Sequence, residues 1–78
     1  MDQFAPRPAP EPIALDSSRI ASMSYDEDDQ TLEIEFTRGG TYVYRGIPQP
    51  LAEGLKRAES PGRYLDRFIK PNYLGRRV

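Results

Sequence analysis

The chain of 78 residues contains no cysteine, no histidine and no tryptophan. Without cysteine there is no disulfide framework and no thiolate nucleophile; without histidine there is no imidazole base titrating near neutrality and no Cys/His zinc site. Uninterrupted apolar runs are two or three residues long, so no segment reads as a membrane span. The opening Met-Asp-Gln-Phe-Ala-Pro lacks the basic and apolar regions of a secretory signal, and a cytoplasmic location is expected. Hydrophobic residues make up 37% and charged residues 29%, which implies one domain with a small core.

The charge that is present is unevenly placed. The formal net charge is −1, yet residues 1–55 carry four basic and ten acidic groups, while residues 56–78 carry seven basic groups against Glu59 and Asp66 alone. Clustered positive charge of this kind raises the local concentration of phosphate or carboxylate ligands. The same residues also suit the solvated face of a helix, and the acidic first part can neutralise them on folding.

Prolines at 6, 8, 10 and 12 remove backbone donors at alternate positions, and residues 1–12 are expected to form a disordered, proline-rich leader. The ordered domain is then residues 13–78. Ile13 to Tyr25 reads as one strand bent at its serines, and the acidic run Asp26 to Asp29 reads as a solvated turn, since the ligand order of a calcium loop is missing. Thr31 to Phe36 alternates cleanly, as does Thr41 to Arg45, so the two form a hairpin. A two-residue loop would place Tyr42 and Tyr44 beside Glu33 and Glu35. A three-residue loop with a left-handed glycine would place them beside Leu32, Ile34 and Phe36, and this register is preferred because it buries more apolar area.

Beyond Pro48 the period lengthens. Pro50 to about Ala58 is expected to be a short helix with Leu51, Leu55 and Ala58 inward, weakened by Gly54. Ser60-Pro61 is expected to cap and start a second helix, with Tyr64, Leu65, Phe68 and Ile69 as its apolar stripe, ended by Lys70-Pro71. The expected fold class is therefore α+β: a small antiparallel three-stranded β-meander followed by two short helices. Arg63, Arg67 and Lys70 recur at spacings of four and three on one side of the second helix, and Arg76 and Arg77 follow in the tail.

Ser17 and Ser18 lack an activating base in any known Ser/Lys hydrolase pattern and suit local backbone hydrogen bonds, so no catalytic residue is assigned. Ser60-Pro61-Gly62-Arg63 offers amides, a small residue and a cation together, the parts of a phosphate seat; a plain helix start explains the same residues. Cations beside five tyrosines are the components that bind single-stranded nucleic acid or a nucleotide by phosphate attraction and base stacking.

A set of ordered short motifs then resembles the KTSC domain: Ser17-Ser18-x-Ile20, Tyr25-Asp26, Leu32 to Phe36, Gly39, Tyr42-x-Tyr44-x-x-Ile47-Pro48, Leu55, Ala58, Ser60-x-Gly62-x-Tyr64 and Ile69. The resemblance spans Leu15 to Val78. It implies a β-meander followed by helices with no established enzymatic activity, and the domain's occurrence at the C-terminus of some lysyl-tRNA synthetases points by association to RNA. The chain departs from the pattern at Leu65-Asp66, where an aromatic followed by Asn is expected, and at Leu74-Gly75. The expected function is a non-enzymatic binding module, without cofactor or metal, that engages RNA, single-stranded DNA or a nucleotide through its second helix and tail. The candidate site residues are Ser17, Ser18, Tyr42, Tyr44, Ser60, Gly62, Arg63, Tyr64, Arg67, Lys70, Arg76 and Arg77. The alternative is an adaptor whose basic face docks on an acidic protein surface.

Overall fold

Alternation along Thr31–Phe36 forces Leu32 and Ile34 to one side of a strand and Glu33 and Glu35 to the other, and the sheet is built around that choice. The computed structural model describes residues 10–78, so the expected leader lies for the most part outside the described residues; Pro10 to Pro12 are exposed and in no regular element. Five strands follow one another in an antiparallel meander: β1 (Ile13–Ala14), β2 (Ile20–Asp26), β3 (Thr31–Phe36), β4 (Gly40–Arg45) and β5 (Gly75–Arg77), in the order β1-β2-β3-β4-β5. Between β4 and β5 lie α1 (Gln49–Arg57) and α2 (Pro61–Tyr64), the latter running into a π-helical turn over Leu65–Ile69.

The α+β class is as expected, but there are five strands instead of three. The segment read as one bent strand is two, because the chain reverses between Ala14 and Ile20 and β1 folds back on β2, pairing Ile13 with Met23. The basic tail is also a strand: Gly75–Arg77 returns to β4, pairing Tyr44 with Gly75 and Tyr42 with Arg77. Neither edge strand exceeds three residues, too short for alternation to announce it.

Leu32 pairs with Tyr44 and Ile34 with Tyr42, so the hairpin takes the three-residue register. Its loop is Thr37-Arg38-Gly39, with Gly39 at φ +121° and Gly40 at φ +88°, values that L side chains rarely adopt. In β2 a bulge between Ile20 and Ser22 turns Ile20 and Met23, three residues apart, to the same face. The Asp26 carboxylate accepts the amides of Asp28 and Asp29 at 3.0 and 3.3 Å, closing the acidic turn, and the Gln30 carbonyl accepts the Ile47 amide at 2.9 Å.

The helices cover one face of the sheet. Ile20, Met23, Leu32, Ile34 and Tyr44 from the strands meet Ile47, Ala52, Leu55, Leu65 and Ile69 in a single core. Each fully buried aliphatic side chain contributes about 1.5–3 kcal/mol. Pro50 stands in the first turn of α1, and Lys56 and Arg57 in its last turn suit the negative end of the helix dipole. Of the stripe expected on the second helix, Leu65 and Ile69 are buried, whereas Phe68 stays 47% exposed. The Lys70 amide bonds to the Leu65 carbonyl five residues back, the wider turn that ends this helix. Among the described residues, no helix is long and apolar enough to cross a membrane.

Candidate nucleic-acid interface

The β3–β4 loop projects Arg38 at its tip, with Phe36 and Tyr42 just behind it on the face that meets the helices. Phe36 and Tyr42 pack edge to face, centroids 5.6 Å apart at 84°. The turn between β1 and β2 lies alongside. Ser17 holds that turn: its hydroxyl accepts the amides of Arg19 and Ile20 at 3.1 and 3.2 Å. Thr37 stitches it to the hairpin by donating its hydroxyl to the Ser18 carbonyl at 2.8 Å, while its amide donates to the Arg19 carbonyl at 2.9 Å.

Arg19 then reaches the second helix. Its guanidinium makes two parallel bonds to the Asp66 carboxylate, at 2.8 and 2.9 Å, across 47 residues of sequence. The side chain lies over Gly62, where a Cβ would stand 3.2 Å from Arg19 Nη1 and 3.3 Å from its Cδ. Lys70 Nζ is 3.3 Å from the same carboxylate and 5.7 Å from the centre of the Phe36 ring. The hydrogen bond from Arg19, with a further one from Lys70, holds the Asp66 carboxyl down at about 2 against the desolvation that opposes it. The same hydrogen bond raises Arg19 above its ordinary value, and burial raises the Tyr44 hydroxyl.

These elements enclose an open cleft of about 700 Å³, walled by Arg19, Arg38 and Lys70, by the rings of Phe36, Tyr42 and Tyr44, and by Ser18 and Thr37. Arg77 stands at its rim, its guanidinium close over Gly40. Among the described residues, Asp66 is the anionic group that pairs with this set, meeting Arg19 and Lys70 from the side of the helix. Among the described residues Arg38 and Arg77 make no ion pair. The cleft therefore presents surplus positive charge beside aromatic surface, which suits a phosphate joined to a flat ring.

Of the residues singled out from the sequence, the cleft collects Ser18, Tyr42, Tyr44 and Lys70, with Arg77 at its edge. Ser17 contributes by shaping the turn. Arg63 and Arg67 are exposed on the helix but do not line the cleft, so the row of three cations delivers only Lys70. At the phosphate seat read from Ser60-Pro61-Gly62, Gly62 is buried beneath Arg19, and the Ser60 hydroxyl makes no capping bond. Tyr64 serves helix packing, its hydroxyl donating to the Leu51 carbonyl at 2.9 Å and its ring lying 4.9 Å from that of Phe68. Arg76 pairs with Val43 and so points to the opposite face of the sheet.

Arg19, Phe36, Thr37, Arg38 and Asp66 were not anticipated. Arg38 had a signal in its place beside Gly39-Gly40 at a hairpin tip; Arg19 and Asp66 had none, because nothing local links them. Charge counted in blocks concealed both, since Arg19 and Arg38 lie in the acidic part of the chain.

Known proteins resemble this chain in fold and in sequence. A KTSC domain protein of Yersinia pestis superposes with a TM-score of 0.86 at 40% identity, covering 90% of this chain and 99% of its own. An uncharacterised protein of Stutzerimonas stutzeri is 38% identical over 61 residues, which is 78% of this chain and 86% of that one. A lysine–tRNA ligase of Nostoc punctiforme is 38% identical over 58 residues, 74% of this chain but 10% of the ligase. The KTSC domain pattern itself matches residues 16–73, from the turn that aims Arg19 to the turn that follows the second helix, and the chain belongs to the KTSC domain family.

Proposed function

We propose that the protein is a non-enzymatic module that binds single-stranded nucleic acid, taking one or two nucleotides in the cleft between the β3–β4 hairpin and the second helix. The observation that carries this reading is the lining of one cleft by Arg38 and Lys70 together with the rings of Phe36 and Tyr42. Lys70, Arg38 and Arg77 supply phosphate contacts, and Tyr42 supplies a stacking face. The second helix and the tail strand thus each contribute one cation. The presence of a similar domain in lysine–tRNA ligases, proteins named for a reaction on tRNA, favours RNA as the polymer.

Three features favour binding over catalysis. The shifted groups in the cleft, Asp66, Arg19 and Tyr44, all move away from neutrality, so none is poised to exchange a proton at pH 7. The Ser17 hydroxyl is engaged by two backbone amides. Lys70, the amine among the described residues that shares the cleft with Ser18, forms an ion pair with Asp66.

The test is fluorescence anisotropy of a labelled ten-nucleotide oligo-U RNA and its DNA counterpart. With about three phosphates neutralised, the log–log salt slope is about −2, so affinity falls roughly 20-fold between about 50 and 200 mM salt. Arg38→Ala/Lys70→Ala should reduce that slope by about two-thirds, and Tyr42→Ala should cost about 1–3 kcal/mol of stacking. Arg63→Ala/Arg67→Ala should change affinity less than the cleft pair. Absence of binding at the lowest salt, or an unchanged slope in the cleft variant, would sink the proposal.

A further inference from the structure

The outer edge of β5 has a chemistry of its own. In an antiparallel ladder, hydrogen-bonded and non-hydrogen-bonded pairs alternate. The Val78 amide donates to the Thr41 carbonyl at 2.9 Å, and Arg76 stands opposite Val43 two residues earlier. Backbone polar groups of Arg76 and Val78 therefore point inward to β4, and the N–H and C=O groups of Gly75 and Arg77 point outward. No strand among the described residues covers them.

Such an edge is a template for another strand, and its side chains decide which strand it accepts. Arg76 shares the open face of the sheet with Val43, whereas Arg77 shares the helix face with Tyr42. On each face of the sheet an added strand thus finds one arginine, Arg76 on the open face and Arg77 on the helix face. A second copy of β5 would bring Arg76 and Arg77 against their own kind, which disfavours self-association. On the open face, Val43, Arg45, Leu74 and Arg76 border a depression of about 330 Å³ beside this edge, room for a side chain of the incoming strand. Leu74 and Val78, 79% and 75% exposed, flank the strand and provide apolar contact at its two ends.

We infer that the outer edge of β5 is a docking site for an extended acidic peptide segment of a partner protein, which adds to the sheet as a sixth strand. Backbone bonds to Gly75 and Arg77 supply the register, and carboxylates on both faces pair with Arg76, Arg45 and Arg77. The site is separate from the cleft, sharing only Arg77 at its margin, so it stands or falls independently of nucleic-acid binding.

The probe is a fluorescein-labelled octapeptide, Glu-Val-Asp-Glu-Val-Asp-Glu-Val, mixed with the full chain at about 50 mM salt, where exposed charges are weakly screened. Binding is expected to weaken roughly tenfold or more when alternate peptide amides are N-methylated, since methylation removes ladder donors and keeps the charge. Arg76→Glu should weaken it by a similar factor, and Arg38→Ala/Lys70→Ala should leave it unchanged. Amide exchange on the wild-type chain gives a readout that needs no variant: the Gly75 and Arg77 amides should gain protection when peptide is added. Equal binding of the methylated peptide, unchanged exchange at Gly75 and Arg77, or loss of binding in the cleft variant would each overturn the inference, as would no binding at all.

Discussion

Gly54→Ala offers a test in which local and tertiary effects have opposite signs. Gly54 lies in the middle of α1, where alanine is favoured over glycine by about 1 kcal/mol, so propensity alone makes the variant more stable. The tertiary structure reverses that. A Cβ at position 54 would collide with the Tyr64 hydroxyl and stand only 2.7 Å from its Cζ. The ring can escape only by leaving the Leu51 carbonyl, to which its hydroxyl donates at 2.9 Å, and by disturbing its contact with Phe68. Overpacking of this kind costs about 1–3 kcal/mol and a lost hydrogen bond about 1 kcal/mol more, against a helix gain of about 1 kcal/mol. The net expectation is a loss of about 1–3 kcal/mol. Urea unfolding followed by far-ultraviolet circular dichroism measures it as a lower midpoint at unchanged slope. Tyr64→Leu in the same background removes the colliding hydroxyl, so the double variant should recover part of the loss relative to additivity. A Gly54→Ala protein more stable than the wild type would refute the close packing of α1 on α2.

Three further outcomes follow from the geometry. Gly75→Ala places a Cβ 2.5 Å from Cε2 of the buried Tyr44, and should cost about 1–3 kcal/mol while speeding exchange of the Arg76 and Val78 amides; unchanged exchange would show that β5 is not packed as described. The Asp66 carboxyl titrates lower in the folded chain than in the unfolded one, so its contribution is present above about pH 4 and is lost as pH falls toward about 2. Asp66 is half exposed, which keeps that contribution small, and Asp66→Asn should flatten the acid side of the stability curve; a curve identical to wild type would contradict the Arg19–Asp66–Lys70 cluster. Burial raises Tyr25, Tyr44 and Tyr64 above the ordinary phenol value, so stability is retained below about pH 10 and declines above it. Absorbance at the tyrosinate band should show part of the tyrosine ionising late in the native chain and together with the rest after unfolding. Complete ionisation at the ordinary value in the native chain would speak against burial of those rings.

Much of the central fold was legible because it is written in short periods. Leu32, Ile34 and Phe36 alternate, the Arg38-Gly39-Gly40 corner supplies the positive φ that a three-residue loop requires, and burial then selects the register that turns Tyr42 and Tyr44 inward. Prolines at 50 and 61 marked both helix starts. The edge strands were not legible. Gly75–Arg77 looked like a charged tail because its pairing is with β4, some thirty residues earlier, and its requirement for glycine comes from the face of Tyr44.

The candidate site divides in the same way. Lys70 and the two hairpin tyrosines were identified from charge and aromatic content, but the guess that Arg63 and Arg67 join Lys70 came from a helical row that the cleft uses at one position only. Glycines 54 and 62 read as a helix weakness and a ligand contact; they are places where Tyr64 and Arg19 cross a helix closely. By itself the sequence determined the exclusion of cysteine and histidine chemistry, the hairpin, the two helix starts and the supply of cations and rings, because each depends on composition or on neighbours a few residues apart. Only the tertiary structure decided which cations meet which rings, for Arg19 and Asp66 become partners when the sheet and second helix pack over a common core, a contact that no local period encodes.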